Sequence, residues 1–168
     1  MSRLDSFIRR LSAQRACLDA AIAAVGAREG FVLEIGLGNG RTYDHLREAM
    51  PGRAIHVFDR QISAHPDSVP DEGHLFLGDF RETLPEAALQ LGRGAILIHA
   101  DIGSGDAAAS RGLGRTIAPL VAALAAPGAW ILSDQPLPLP EDAGSWRPAA
   151  LPLGVEAERY HLYRVREK

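Results

Sequence analysis

Residues 30–40 read Gly30-Phe31-Val32-Leu33-Glu34-Ile35-Gly36-Leu37-Gly38-Asn39-Gly40, a short run of strand formers that breaks into three glycines spaced two apart. The run predicts a buried strand, and the glycines predict a sharp turn at its end. A helix fits Arg41 to Met50, closed by Pro51-Gly52. The unit then repeats. Ala54 to Phe58 is a second strand ending at Asp59, and Leu75 to Leu77 a third ending at Gly78-Asp79. Ala95 to His99 is a fourth, ending at Asp101, and Ala129 to Leu132 a fifth, ending at Asp134. Pro85 opens a helix that stops near Gly92, and Gly112 to Ala126 forms another despite Pro119. A loop rich in Pro, Asp and Ser spans Gln61 to Gly73, and a proline-rich segment runs to Pro152. Arg159 to Val165 alternates and reads as an antiparallel C-terminal strand at the end of the sheet. Ahead of all this, Leu4, Phe7, Ile8, Leu11, Leu18, Ile22 and Val25 recur at helical spacing, with a Ser2–Asp5 capping box and a stop at Gly26. Strands alternating with helices define an α/β fold: a Rossmann-like, doubly wound, mainly parallel sheet with helices on both faces. One domain over residues 1–168 is expected, with 1–26 as leading helix, 31–134 as ligand-binding core and 135–168 as substrate-side loop and final strand.

Composition narrows the chemistry. The 168 residues are 46% apolar and 23% charged, an ordinary globular balance. A net charge of −3 gives no field to recruit nucleic acid or an anionic membrane. With one cysteine, Cys17, no intrachain disulfide is possible, which suits the cytoplasm. The only lysine is Lys168, so a phosphate-loop lysine, a Schiff-base enzyme and a lysine general base are excluded. Ala118 to Leu132 is interrupted by Pro119, Pro127 and Gly128, so no membrane span is expected, and Arg3, Asp5, Arg9 and Arg10 argue against a signal peptide.

In such sheets ligands bind at the carboxyl ends of the strands, near the reversal of strand order. Asp59, Asp79, Asp101 and Asp134 all fall on that rim. Each aspartate has a second reading as a helix cap or turn former. The dinucleotide fingerprint wants a third glycine at position 41, where Arg41 stands. Glu34, two residues before the first glycine, suits a ligand of ammonium or sulfonium character; the other reading is that it orients the loop by accepting backbone N–H groups. Asp59 follows Gly36 by 23 positions, the gap at which an acid accepts hydrogen bonds from a ribose diol. Gly78-Asp79-Phe80 offers an acceptor for an adenine amino group and an aromatic edge, with core packing as the alternative for Phe80.

Val-Leu-Glu-Ile-Gly-Leu-Gly-Asn-Gly at 32–40, Val-Phe-Asp at 57–59 and Leu-Gly-Asp-Phe at 77–80 resemble the first three motifs of class I S-adenosyl-L-methionine-dependent methyltransferases. The long leading helix on a short chain is similar to a compact bacterial S-adenosyl-L-methionine methyltransferase family. The resemblance spans 31–134 and thins beyond Gln135. It implies S-adenosyl-L-methionine as cofactor. Gly36, Gly38 and Gly40 would line its methionine and ribose, Asp59 with the neighbouring Arg60 its ribose hydroxyls, and Gly78, Asp79 and Phe80 its adenine, while His99 and Ala100 would flank the sulfonium.

The acceptor is harder to read. Enzymes that methylate exocyclic amines of nucleobases show Asn- or Asp-Pro-Pro-aromatic after the fourth strand, and this chain has His99-Ala100-Asp101-Ile102-Gly103. Catechol-type O-methyltransferases place metal-binding acids where Asp101 and Asp134-Gln135 fall; here Gln135 replaces an asparagine and Ser104 stands at the position of the lysine base. Divalent-metal binding and plain capping or substrate contact both stay open for Asp101 and Asp134. His99 and Asp101 are the catalytic candidates, His99 as general base, against a strand-end histidine bonded to neighbouring backbone. No histidine or cysteine spacing suggests zinc, and no Gly-x-Ser-x-Gly elbow occurs. His65 and His74 flank a loop that would act as a lid. Trp146 and Arg147 have two readings, wall and anion contact or packed Trp beside surface Arg. The expectation is methyl transfer to a small molecule, oxygen ahead of nitrogen, with the leading helix's apolar stripe as a possible homo-oligomer contact. The competing classes are a cofactor-holding module without catalysis and a nicotinamide-dependent oxidoreductase.

Overall fold

The computed structural model describes residues 2–138 and 146–167. Among the described residues four α-helices, α1 (Arg3–Val25), α2 (Arg41–Ala49), α3 (Phe80–Leu91) and α4 (Ala107–Leu124), accompany seven strands. These are β1 (Phe31–Ile35), β2 (Ile55–Asp59), β3 (Leu75–Leu77), β4 (Ala95–Ala100), β5 (Ala125–Ser133), β6 (Trp146–Pro148) and β7 (His161–Val165). They form one sheet in the order β3-β2-β1-β4-β5-β7-β6. The five strands from β3 to β5 are parallel, and β7 runs antiparallel to β5 and β6.

The inner parallel strands β1, β2, β4 and β5 are buried on both faces, while the edge strand β3 leaves Leu77 exposed. Val32, Val57 and Leu132 pack with Cys17, Leu18 and Ala21 of α1 and Leu46 of α2 on one side. Leu33, Ile35, Ile98 and Ile131 pack with Leu84 of α3 and Ile117 and Val121 of α4 on the other. Because β1 leads to α2 on the first face and β4 leads to α4 on the second, their carboxyl ends diverge and leave a crevice between adjacent strands. That crevice positions the site.

The Ser2 side chain accepts the Asp5 N–H and the Asp5 carboxylate accepts the Ser2 N–H, both at 3.0 Å, so the expected capping box starts α1. Four boundaries differ from expectation. Helix α3 begins at Phe80, not Pro85, because the Asp79 carboxylate accepts the Arg81 N–H and caps it one turn earlier; Pro85 then lies inside the helix. Helix α4 begins at Ala107, not Gly112, because Asp106 accepts the N–H groups of Ala108 and Ala109. It ends at Leu124, so Pro127-Gly128 falls in the irregular start of β5, where the pairing with β4 shifts register. Strand β6, inside the segment read only as proline-rich, pairs with β7 at the sheet rim, a place that tolerates Pro148. The 61–74 loop contains short 3-10 turns at Pro66–Ser68 and Glu72–His74. No described helix is long and apolar enough to cross a membrane.

Candidate functional site

The glycine turn after β1 forms the floor of the crevice. Gly36 has φ +94, its N–H donates to the Phe58 carbonyl at 2.8 Å, and a Cβ there would lie well inside 3.0 Å of the Asp101 carbonyl oxygen. No side chain fits between β1 and β4 at this level. Gly38 differs: at φ +53, a Cβ would project into open space. Gly40, at φ +83, starts α2 without a side-chain cap, and its backbone is pressed against Ser68 and Ala64 of the 61–74 loop. No side chain caps the first-turn N–H groups of α2, the kind of helix start at which anionic groups bind.

Asp59, at the end of β2, holds this turn. Its Oδ2 accepts the Gly38 N–H at 2.9 Å, and its Oδ1 accepts the N–H of Arg60 at 2.6 Å and of Gln61 at 3.3 Å. Asp79 accepts the Arg81 N–H at 3.0 Å and the Arg60 guanidinium at 2.9 Å. The Arg81 N–H, aided by the charges of Arg81 and Arg60 against the opposing effect of burial, holds its carboxyl below the ordinary carboxylate range. Gly78 donates its N–H to the Asp59 carbonyl at 2.9 Å. Phe80 and Ala100 are buried in the core with α3 and α4, so Phe80 takes at least the packing role of its two readings.

Two hollows lie near the carboxyl ends of the strands, one of them against the turn. One, of about 260 Å³, is lined by Gly36 to Asn39, Arg10, Gln14, Thr42 and Asp101. The other, of about 290 Å³, lies towards Arg60, Arg81, Ile102, Ser104 and Ser110. Among the described residues Asp101 is the only acid lining the first, with its side chain 28% exposed. Gln14 Nε2 donates to its Oδ2 at 3.0 Å, and Arg10 lies 3.5 Å from its Oδ1.

Glu34 and His99 are placed differently from expectation. Both side chains are 0% exposed and point to the α1/α2 face from paired positions on β1 and β4. His99 Nδ1 is 2.7 Å from Glu34 Oε2, the Thr42 hydroxyl donates to Glu34 Oε1, and His99 Nε2 shares a hydrogen bond with the Tyr160 hydroxyl. Neither side chain has surface on the hollow. Glu34 therefore has no exposed surface to offer a ligand ammonium, and among the described residues its partners are a hydroxyl and an imidazole, not backbone N–H groups. His99 has both nitrogens engaged and presents neither to an acceptor. Burial opposes charge on His99, but the Glu34 carboxylate, with Asp101 and Asp134 behind it, outweighs this and raises its pKa. Burial, with the nearby acids, pushes the Tyr160 hydroxyl well above its ordinary value.

Asp134 Oδ1 accepts the Ile102 N–H at 2.9 Å and its Oδ2 accepts from the Gln135 amide at 3.0 Å, while burial, assisted by Asp101, raises its pKa. Both acids of the catechol-type pattern thus already have protein donors, and among the described residues no three His, Cys, Asp or Glu side chains gather around a metal-sized gap. His74 bonds Asp71 at 2.8 Å and stacks on His56, and Trp146 is buried with its Nε1 donating to the Leu137 carbonyl. Gln14, Arg10, Thr42 and Tyr160 entered the site without being singled out from sequence. Gln14 had a signal: it falls between Leu11 and Leu18 on the apolar stripe of α1, where a polar residue needs a buried partner.

Residues 1–165 match the family model of S-adenosyl-L-methionine methyltransferase. The chain belongs to that family. This methyltransferase is 42% identical to an S-adenosyl-L-methionine methyl transferase from Silicibacter pomeroyi DSS-3 whose crystal structure is known at 1.80 Å, over 98% of this chain and 99% of that one, with a TM-score of 0.91. More distant structures share the fold alone. MycE from the mycinamycin biosynthetic pathway, in complex with Mg, SAH and mycinamycin VI, is 14% identical with a TM-score of 0.62, over 99% of this chain and 49% of that one. TrmN from Thermus thermophilus is 18% identical with a TM-score of 0.59, over 95% and 48%. No curated protein matches the methyltransferase in sequence. Its cofactor is S-adenosyl-L-methionine, and the open space above Gly38, between Asp59 and the uncapped start of α2, fits one: sugar hydroxyls need an acid and a carboxylate needs free N–H groups.

Proposed function

We propose that the methyltransferase acts on a small hydroxylated acceptor that enters along α1, and that Asp101 receives the proton. The observation that carries this is Asp101 itself, among the described residues the one acid lining the hollow beside the glycine turn, aimed by Gln14. S-adenosyl-L-methionine supplies an electrophilic methyl group on sulfur. Gly36, Gly38 and Gly40 border its methionine and ribose, with the α2 N–H groups and Arg41 on the carboxylate side. Asp59 takes the ribose hydroxyls: a carboxylate has room for about four hydrogen bonds, so the long 3.3 Å contact from Gln61 is the one that gives way. Asp79, steadied by Arg60 and Arg81, meets the adenine amino group.

As the acceptor oxygen forms its bond to the methyl carbon and the carbon–sulfur bond breaks, the hydroxyl proton passes to Asp101 and a neutral thioether is left. Phe7, Arg10, Leu11 and Gln14 follow one another at helical spacing, a stripe that is apolar at the exposed end and polar at Asp101. It suits an acceptor with an apolar body and a hydroxyl at one end, and Arg10 offers a contact for an anionic group. Leu4 and Ile8, 65% and 52% exposed, give a second copy of the chain a surface to pack on. The test is a methylation screen of hydroxylated aromatics, amines and carboxylic acids, with and without Mg²⁺, on wild-type protein and D101N. Turnover of a hydroxylated compound, reduced about 10²- to 10⁴-fold in D101N with cofactor affinity retained, is expected. Turnover confined to amines, or D101N as active as wild type, refutes the assignment.

A further inference from the structure

Beneath the hollow runs a line of buried polar side chains that methyl transfer does not itself require. Thr42 donates to Glu34, Glu34 pairs with His99 at 2.7 Å, and His99 meets Tyr160. Gln14 Nε2 lies 3.4 Å from both the Tyr160 hydroxyl and His99 Nε2, and donates to Asp101 at 3.0 Å. The participants come from α2, β1, β4, the segment before β7, and α1. The two ends, Thr42 and Asp101, both line the hollow, while Glu34, His99 and Tyr160 do not.

We propose that Tyr160 and Gln14 are positioning residues of the methyltransferase, tying the two walls of the cofactor crevice together through His99 and Glu34. The reasoning is one of hydrogen supply. The Gln14 amide nitrogen carries two hydrogens; one goes to Asp101 and the other is left for the Tyr160–His99 pair. Without the Tyr160 hydroxyl, His99 Nε2 has only Gln14 within reach, at 3.4 Å, so Gln14 turns towards it and loosens from Asp101. The same loss frees the imidazole to tilt against Glu34, and with it Thr42 at the first turn of α2. Tyr160 stacks on His99 with ring centroids 6.1 Å apart, a contact phenylalanine would keep. Tyr160→Phe therefore removes the tie and leaves the packing.

Resting on the placement of the cofactor in this hollow, the role is tested by calorimetric titration with S-adenosylhomocysteine of wild type, Y160F, Q14M and the double variant. Y160F weakens binding by about fivefold to tenfold, and the double variant loses no more than about twofold beyond the worse single one, because both act on one network. Unchanged affinity in Y160F, or losses that multiply, overturns the role; a purely structural tyrosine would lower the melting temperature and leave affinity alone. In the wild-type chain the ring nitrogen NMR resonances of His99 shift when S-adenosylhomocysteine saturates the site, a readout that stands even where a variant fails to fold, and stationary resonances overturn the role. Wild-type protein that binds no S-adenosylhomocysteine strikes the cofactor placement as well. Wild-type binding with an indifferent Y160F strikes the positioning role alone.

Discussion

Substituting alanine at Gly36 puts the architecture of the crevice to its sharpest test. At φ +94 an alanine is strained by about 1–2 kcal/mol. Its Cβ also falls too close to the Asp101 carbonyl oxygen, an obstacle made of backbone that cannot rotate away. Forcing β1 and β4 apart at that point adds about 1–3 kcal/mol. Restricting the unfolded chain returns under about 1 kcal/mol. The net loss is about 2–4 kcal/mol, or roughly 4–16 °C in melting temperature for a chain of this length. Gly38→Ala is the control: its φ is also positive, but its Cβ meets nothing within 4 Å, so the loss is about 1 kcal/mol or less. Urea unfolding of both variants measures the difference. Equal midpoints would mean that β1 and β4 do not approach as closely at Gly36 as described.

Glu34→Gln breaks a buried pair and leaves His99 facing a neutral amide, at a cost of about 3–5 kcal/mol in urea unfolding; a loss under about 1 kcal/mol would show the pair to be exposed to water. The pH dependence has a defined sign. Because the folded His99 pKa lies above its ordinary 6.5, its contribution to stability is complete below pH 6.5 and fades as pH rises through the folded value. Stability curves between pH 5 and pH 9 are expected to show that decline in wild type and not in Glu34→Gln; a parallel course for the two would refute it. Cys17 is buried and its thiol is pushed up to about 11 by desolvation, so thiol reagents at pH 8 should label the native chain slowly and the unfolded chain at once. Rapid native labelling would show that α1 lifts from the sheet.

The turn was legible because strand formers and three glycines sit side by side, and Asp59 because a fixed gap separates the first two strand ends of this fold. Other features carried misleading or silent signals. Pro85 looked like a helix start, yet Asp79 with Glu82 three residues later is a capping pattern that outweighs it. Trp146-Arg147-Pro148 has no strand signature of its own; β7 alone makes it a strand. The burial of His99 follows from Ala-Ile-Leu-Ile-His-Ala, a run apolar on both faces, but its partner Tyr160 lies 61 residues on and Gln14 lies 85 residues before it. Contacts at such separations are set by the folded sheet, and nothing local announces them.

Strand β7 sits inside the sheet, flanked by β5 and by β6, which precedes it in the chain. A polypeptide halted before residue 161 would show β5 with a bare hydrogen-bonding flank and β6 with nothing to join. Until that last ribbon slots in, the half-made sheet is a template for cross-pairing between nascent neighbours. Ribosome stalling or proteolytic clipping near this point should thus yield inclusion bodies in place of a trimmed, working catalyst.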